Sequence, residues 1–165
     1  MQTVQLFRLK PNPRGKDRAR TSGASAAQLG AEWVDLKNTG SSPVTLSGIT
    51  LYHLAYSRTS SQAEWKEVVA LPGSLQAGKV LRIHSGKTRD LSVLNPEDIA
   101  GADFHLFSGE DVYVWNNAEG DTAGLWYVVG KTWVDKASYD ANPPEGVVLA
   151  RLGEKLVPTG VGTRY

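Results

Sequence analysis

A chain of 165 residues, 41% apolar and 21% charged, is long enough to bury a core of its own within one domain. It has no cysteine, which excludes a disulfide framework and any thiolate metal site. The net charge of +1 hides an asymmetry: residues 8–20 hold six basic groups against Asp17, whereas residues 97–121 hold seven acids and no Lys or Arg.

The chain opens on MQTVQLFRLK, without the apolar run of a signal peptide, and no stretch approaches the roughly 18 apolar residues of a membrane span. The closing GVGTRY carries no lipidation box. A soluble, cytoplasmic protein with no membrane span is the expectation. Gln2 to Leu9 alternates like a short strand. Residues 10–30 are rich in Pro, Gly, Ser, Ala and Arg and read as an extended arm. Its candidate partner-binding or phosphate-binding cations are Arg8, Lys10, Arg14, Lys16, Arg18 and Arg20.

From Ala31 the pattern becomes that of short strands between turns. Ala31 to Asn38 directs Val34 and Leu36 to one side, and Asn38-Thr39-Gly40 is turn chemistry because Asn and Gly tolerate positive φ. Trp33, Asp35 and Lys37 fall together on the other side, the face expected to be wet. A tryptophan within a polar rim suits a protein interface, so these three are the candidate docking residues. Val44 to Leu46 and Ile49 to Leu54 continue as strands around Ser47-Gly48. Glu64 to Leu71 reads as strand because Val68 and Val69 are β-branched. Lys79 to His84 follows the Ala77-Gly78 turn. Residues 85–103 read as loop, with one helical turn opening at Asn95-Pro96-Glu97-Asp98. Asp111 to Trp115 (DVYVW), Leu125 to Val129, Thr132 to Tyr139 and Val147 to Leu152 complete the set, with a hairpin-like turn at Asn116 to Gly120. Eight to ten short strands without an amphipathic helix favour an all-β sandwich.

EWVDLKN, TLSGITL, LPGSLQAGKVLRIHSG, DVYVWNNAEG, VDKASYD and NPPEGVVLARL, in this order and spacing, resemble the lamin-tail domain. The resemblance covers about residues 30–152 and implies an immunoglobulin-like β-sandwich with a basic extended arm at its N-terminus. The expected organisation is an N-terminal strand and basic arm over 1–29, the sandwich over 30–152 and a C-terminal tail over 153–165. Gly48 and Gly78 occupy bends that need a residue without Cβ. Unlike a lamin, the chain has no heptad rod and no lipidated end.

Motifs of chemistry are missing. His53, His84 and His105 show no HxH, HExxH or HxxxH spacing. Glu110-Asp111 and the pair Asp98 and Asp103 are acids beside loops and strand starts, and a glycosidase would need two such groups converging on one cleft. Asn116, Asn117, Glu119 and Asp121 are oxygen-rich but depart from EF-hand spacing. HSG at 84–86 is not a nucleophile elbow, and Gly86-Lys87-Thr88 lacks the upstream glycine of a phosphate loop. No catalytic residue, metal, cofactor or small-molecule substrate is assigned. Trp33, Trp65, Trp115, Trp126 and Trp133 can line a groove or close the ends of a core. The function expected is a non-catalytic structural or protein-interaction module in a larger assembly, with a protein partner or a second copy bound through the sandwich faces and the arm. The alternative is a nucleic-acid-binding adaptor whose arm neutralises phosphates.

Overall fold

The computed structural model describes residues 3–16, 23–56 and 62–159. Twelve strands form its framework: β1 (Val4–Lys10), β2 (Trp33–Asn38), β3 (Val44–Thr45), β4 (Ile49–Tyr56), β5 (Ala63–Ala70), β6 (Ser74–Leu75), β7 (Val80–His84), β8 (Phe104–Phe107), β9 (Asp121–Tyr127), β10 (Thr132–Tyr139), β11 (Leu149–Leu152) and β12 (Lys155–Pro158). Two short helices, α1 (Ala26–Gly30) and α2 (Pro96–Ile99), and a 3-10 turn at Leu91–Val93 complete the elements. Ten strands form one sheet in the order β5-β4-β9-β10-β12-β11-β1-β2-β7-β8, and β3 pairs with β6 separately. The all-β expectation holds.

The large sheet is two strand sets hinged at one point. β12 meets β10 through the single pair Ser138 and Lys155, while the neighbouring ladders run over several residues. The apolar residues of both sets share one core. Leu6, Leu9, Val34, Leu36, Leu81 and Ile83 come from one set and Ile49, Leu51, Ala123, Leu125 and Ala137 from the other. A bulge between Leu6 and Arg8 interrupts the β1–β2 ladder. There the Leu6 amide donates across to Asp135 Oδ2 (2.8 Å), and Arg151 grips the same carboxylate (2.6 and 2.9 Å) while donating to the Leu6 carbonyl. Two side chains thus satisfy the backbone groups of Leu6 on the β11 side, beyond the end of the β1–β11 ladder, which pairs only Arg8 and Leu9.

The first strand is therefore not an appendage. β1 pairs with β2 on one side and β11 on the other, and β12 lies within residues expected to form a tail. The turn chemistry is as read: Asn38 Oδ1 accepts from the Gly40 amide (2.9 Å), and Gly48 and Gly78 have φ of 94° and 77°. DVYVW departs from expectation, since Asp111 to Trp115 forms no strand. The amides of Val114 and Trp115 donate to the Glu32 carboxylate instead of to a neighbouring strand. Among the described residues no helix is long and apolar enough to cross a membrane.

Candidate functional site: a sealed charge network on the outer face of β1, β2 and β7

β2 is buried on both sides. Val34 and Leu36 face the core, and Trp33 and Asp35, at 2% and 0% exposure, face a second interior. Its cover is the segment 91–103, whose helix α2 carries Pro at its start and lies over the sheet. Asp98, fully buried, is the peg. Its Oδ1 accepts from Lys10 Nζ (2.7 Å) and from Trp33 Nε1 (2.9 Å), and Arg82 Nη1 donates to the carbonyls of Asp98 (3.0 Å) and Ala100 (2.9 Å). Arg8 adds a bond to the Gly101 carbonyl (2.9 Å).

Asp35 is the centre of this network. Arg82 binds it with both Nε (2.7 Å) and Nη2 (2.9 Å), and Arg8 Nε approaches the second oxygen (2.9 Å). The guanidinium of Arg82 also lies 3.6 Å from the Trp33 ring centroid, a stacked cation–π contact. Register explains the convergence: Arg8 and Arg82 each sit opposite Asp35, on β1 and β7, and Lys10 and His84 sit opposite Trp33. Arg8, Lys10 and Arg82 against Asp35 and Asp98 leave one excess positive charge, and the carbonyls of residues 98, 100 and 101 meet it.

The proposed docking trio is thereby corrected. Trp33 and Asp35 lie under α2 and cannot form an outward patch. Lys37 alone of the three is partly exposed, with its Nζ 4.8 Å from the centroid of the Phe7 ring. The arm is corrected in part as well. Arg8, Lys10 and Lys16 are paired inward with Asp35, Asp98 and Glu32, and Lys10 and Lys16 are almost wholly enclosed. Arg14 is exposed and packs over Gly146. Arg18 and Arg20 lie outside the described residues.

Two imidazoles border the network. His84 and His105 approach at 2.8 Å, and His84 Nδ1 lies 2.6 Å from the Gly30 carbonyl. A carbonyl only accepts, so His84 carries its proton on Nδ1, and its Nε2 accepts from His105 Nδ1. Burial first, then the charges of His105 and Arg82, lower the His84 pKa to about 4 against the pull of Gly30. Both rings are neutral at pH 7, since burial and Arg82 lower the pKa of His105 too. His84 further stacks on Phe107 with centroids 5.0 Å apart. Convergence of His84 and His105, left open by sequence, is real. The acids whose charge reaches these rings, Asp98 and Asp35, are bound by Lys10 and Trp33 and by two arginines respectively.

Glu32 makes a second hub. It is fully buried and accepts from Lys16 Nζ (2.6 Å), the Ser85 hydroxyl and the Val114 (2.6 Å) and Trp115 (3.3 Å) amides. Desolvation raises its pKa, and Lys16 counters that rise. Lys16 also donates to the carbonyls of Pro11 (2.8 Å) and Trp115. One ion pair so fastens the arm and the 108–117 segment to the start of β2.

Asp121 makes the third. His53 Nδ1 (2.9 Å), the Leu54 amide (3.0 Å), the Asn116 amide (3.2 Å) and side chain (3.0 Å), and the Thr122 amide (2.7 Å) surround its two oxygens. The oxygen-rich 116–121 turn thus uses this carboxylate to close itself. Among the described residues no three His, Asp or Glu side chains are grouped to hold a metal. The acid pairs considered from sequence separate: Asp98 is the buried peg, Asp103 accepts from the Val80 amide (2.9 Å), and exposed Asp111 meets Lys87 at 3.3 Å.

Sequence reading missed Glu32, Arg82 and Asp98 as the residues that organise these hubs. The signal for Arg82 was present, because VLRIH alternates Leu81 and Ile83 with Arg82 and His84, just as WVDLK alternates. Two adjacent strands with charged second faces, neither of which faces water, imply a lid. No family model matches the chain, and no curated protein sequence matches it.

Proposed function

We propose that the chain is a non-catalytic structural or protein-interaction module of a larger assembly, built as a lamin-tail-like, immunoglobulin-like sandwich. The observation that carries this reading is the use made of its chemistry-bearing side chains. Asp35, Glu32, Asp98 and Asp121 spend their oxygens on arginines, lysines, a histidine and backbone amides that bind covering segments to the sheet. Both oxygens of Asp35, Glu32 and Asp121 are so occupied, whereas Asp98 has Oδ1 doubly bonded and a buried Oδ2 with no partner among the described residues. Carboxylates held in this way serve as fasteners. The sandwich reading is supported by two strand sets that share one apolar core and join at a single residue pair.

The inward pairing of Arg8, Lys10 and Lys16 weighs against the nucleic-acid adaptor, which needs free cations along phosphates. Light scattering of the full chain across a range of concentrations, with affinity capture and identification of bound proteins, tests the module. Self-association or a reproducible specific partner is expected. A strict monomer without a partner overturns it, as does a DNA or RNA mobility shift at about 50 mM salt that collapses by about 200 mM.

A further inference from the structure

The two ends of the large sheet are defended unequally. At one end β5 presents Glu64, Lys66 and Glu67, exposed charges of the kind that keep an edge from pairing with another chain. At the other end β8 reads Phe104-His105-Leu106-Phe107, without a formal charge at pH 7, a proline or a bulge, and it pairs only with β7. Phe104 is 52% exposed. Among the described residues no other strand covers this edge.

Walls rise on both sides of β8. On the core side a groove of about 230 Å³ is lined by Leu46, Pro72, Leu75 and Leu81 together with Phe104 and Leu106. On the opposite side a groove of about 740 Å³ runs past Lys87, Arg89, Leu91 and Phe107. Lys87 and Arg89 are exposed, and the one acid in that groove, Asp103, is turned to the Val80 amide and to Lys79 (3.8 Å). The exposed pair of Lys87 with Asp111 exchanges readily for another carboxylate.

We propose that β8 is a peptide-docking edge, extended by one strand of a partner in which acidic and apolar residues alternate. An added strand sends successive side chains to opposite faces. One set would enter the apolar groove beside Leu75 and Leu81, and the other would meet Lys87 and Arg89. A second copy of this chain fits less well, because its own β8 carries no acid for those cations. The inference rests on the interaction-module reading and names the kind of partner that module takes.

The test uses the full chain and a fluorescent capped peptide, Asp-Val-Asp-Leu-Asp-Val, read by anisotropy and by amide hydrogen exchange. Saturable binding with new protection at residues 104–107 is expected. N-methylation of alternate peptide nitrogens removes ladder donors and weakens binding by about tenfold. Arg89→Glu weakens it about fivefold and improves binding of the matching Lys-Val-Lys-Leu-Lys-Val peptide. Phe104→Glu places a charge of the peptide's own sign on the exposed edge and abolishes protection there while the far-ultraviolet spectrum stays unchanged. Absence of saturable binding overturns the proposal, as does equal binding of the N-methylated peptide. Concentration-dependent protection of 104–107 without peptide assigns the edge to a second copy and overturns it too. If the full chain captures a partner equally well with Phe104→Glu, the edge inference fails while the module reading stands.

Discussion

The molecule has two outer sheet faces, and they are finished in opposite ways. On the β1-β2-β7 face a tryptophan lies beneath an arginine, the arginine is bound to a buried aspartate, and α2 seals the whole; Trp33 is 2% exposed. On the β4-β5-β9-β10 face no described segment is laid over the aromatics in this way, and Trp65 is 37% exposed. There the rings shelter one another: Trp133 lies 4.4 Å from Trp65, 4.9 Å from Trp126 and 6.0 Å from Tyr52, centroid to centroid. Gly124 makes room, since a Cβ there would come within 2.5 Å of the Trp133 ring. The comparison teaches that an alternating strand with aromatic and charged residues on its second face has two stable outcomes. Charges that can pair draw in a covering segment, whereas aromatics without such partners pack into a cluster at the surface.

Removing residues 1–27 breaks the sealed face most completely. It deletes β1 with the buried Val4, Leu6 and Leu9, each contributing about 1.5–3 kcal/mol, and strips Asp98 and Glu32 of Lys10 and Lys16. The truncated chain should show no cooperative thermal transition by calorimetry. Next in size is Asp35→Asn, which leaves Arg82 and Arg8 without their counter-charge and should cost about 3–5 kcal/mol in urea denaturation. Lys37→Ala, two residues along the same strand, should cost less than about 0.5 kcal/mol. A similar loss for both would mean that the face is not sealed at Asp35.

Acid sharpens the same contrast. With a folded pKa of about 4, below its ordinary 6.5, His84 refuses a proton that the unfolded chain accepts. Its contribution to stability is complete above pH 6.5 and falls as pH drops towards about 4, by roughly 3 kcal/mol in all. Glu32, with a raised pKa, has the opposite sign, its contribution falling as pH rises. Stability measured against pH for the parent and His84→Gln isolates the imidazole, because the Glu32 dependence is common to both. The variant should lose the decline between pH 6.5 and 4.

The open face should respond least. Gly124→Ala drives a methyl into Trp133 and should cost about 1–3 kcal/mol, with a shift in tryptophan emission. Trp65→Ala, at the exposed rim of the cluster, should cost about 1 kcal/mol or less by the same denaturation measurement. A larger loss from Trp65 than from Gly124 would show that the cluster is anchored from its rim.

Much of the strand content was legible because it depends on neighbours in sequence. Val34 and Leu36, and Leu81 and Ile83, recur at period two, and all are core residues. β9 runs over Asp121–Tyr127, where the sequence pattern placed a strand only from Leu125. Asn38-Thr39-Gly40 carries its own turn in the Asn38 side chain. The short β6, β8 and β12 were hidden, since two to four residues give no period to read. DVYVW has the alternation of a strand, yet Glu32, about 80 residues earlier, takes its amides. For the site, His84 and His105 could be named but not brought together, and Arg8, Lys10 and Lys16 were visible as cations without their partners.

By itself the sequence determined the all-β class, the positions of the principal turns and which face of each long strand is apolar, because these follow from backbone sterics and side-chain period over a few residues. Only the tertiary structure decided that the second face of β2 is also an interior. Burying Trp33 and Asp35 requires that Arg8, Lys10, Arg82 and Asp98 arrive from three other segments at once. Desolvating a charge is costly unless its partner is already in position. That position is set by strand order and register, which no local pattern records.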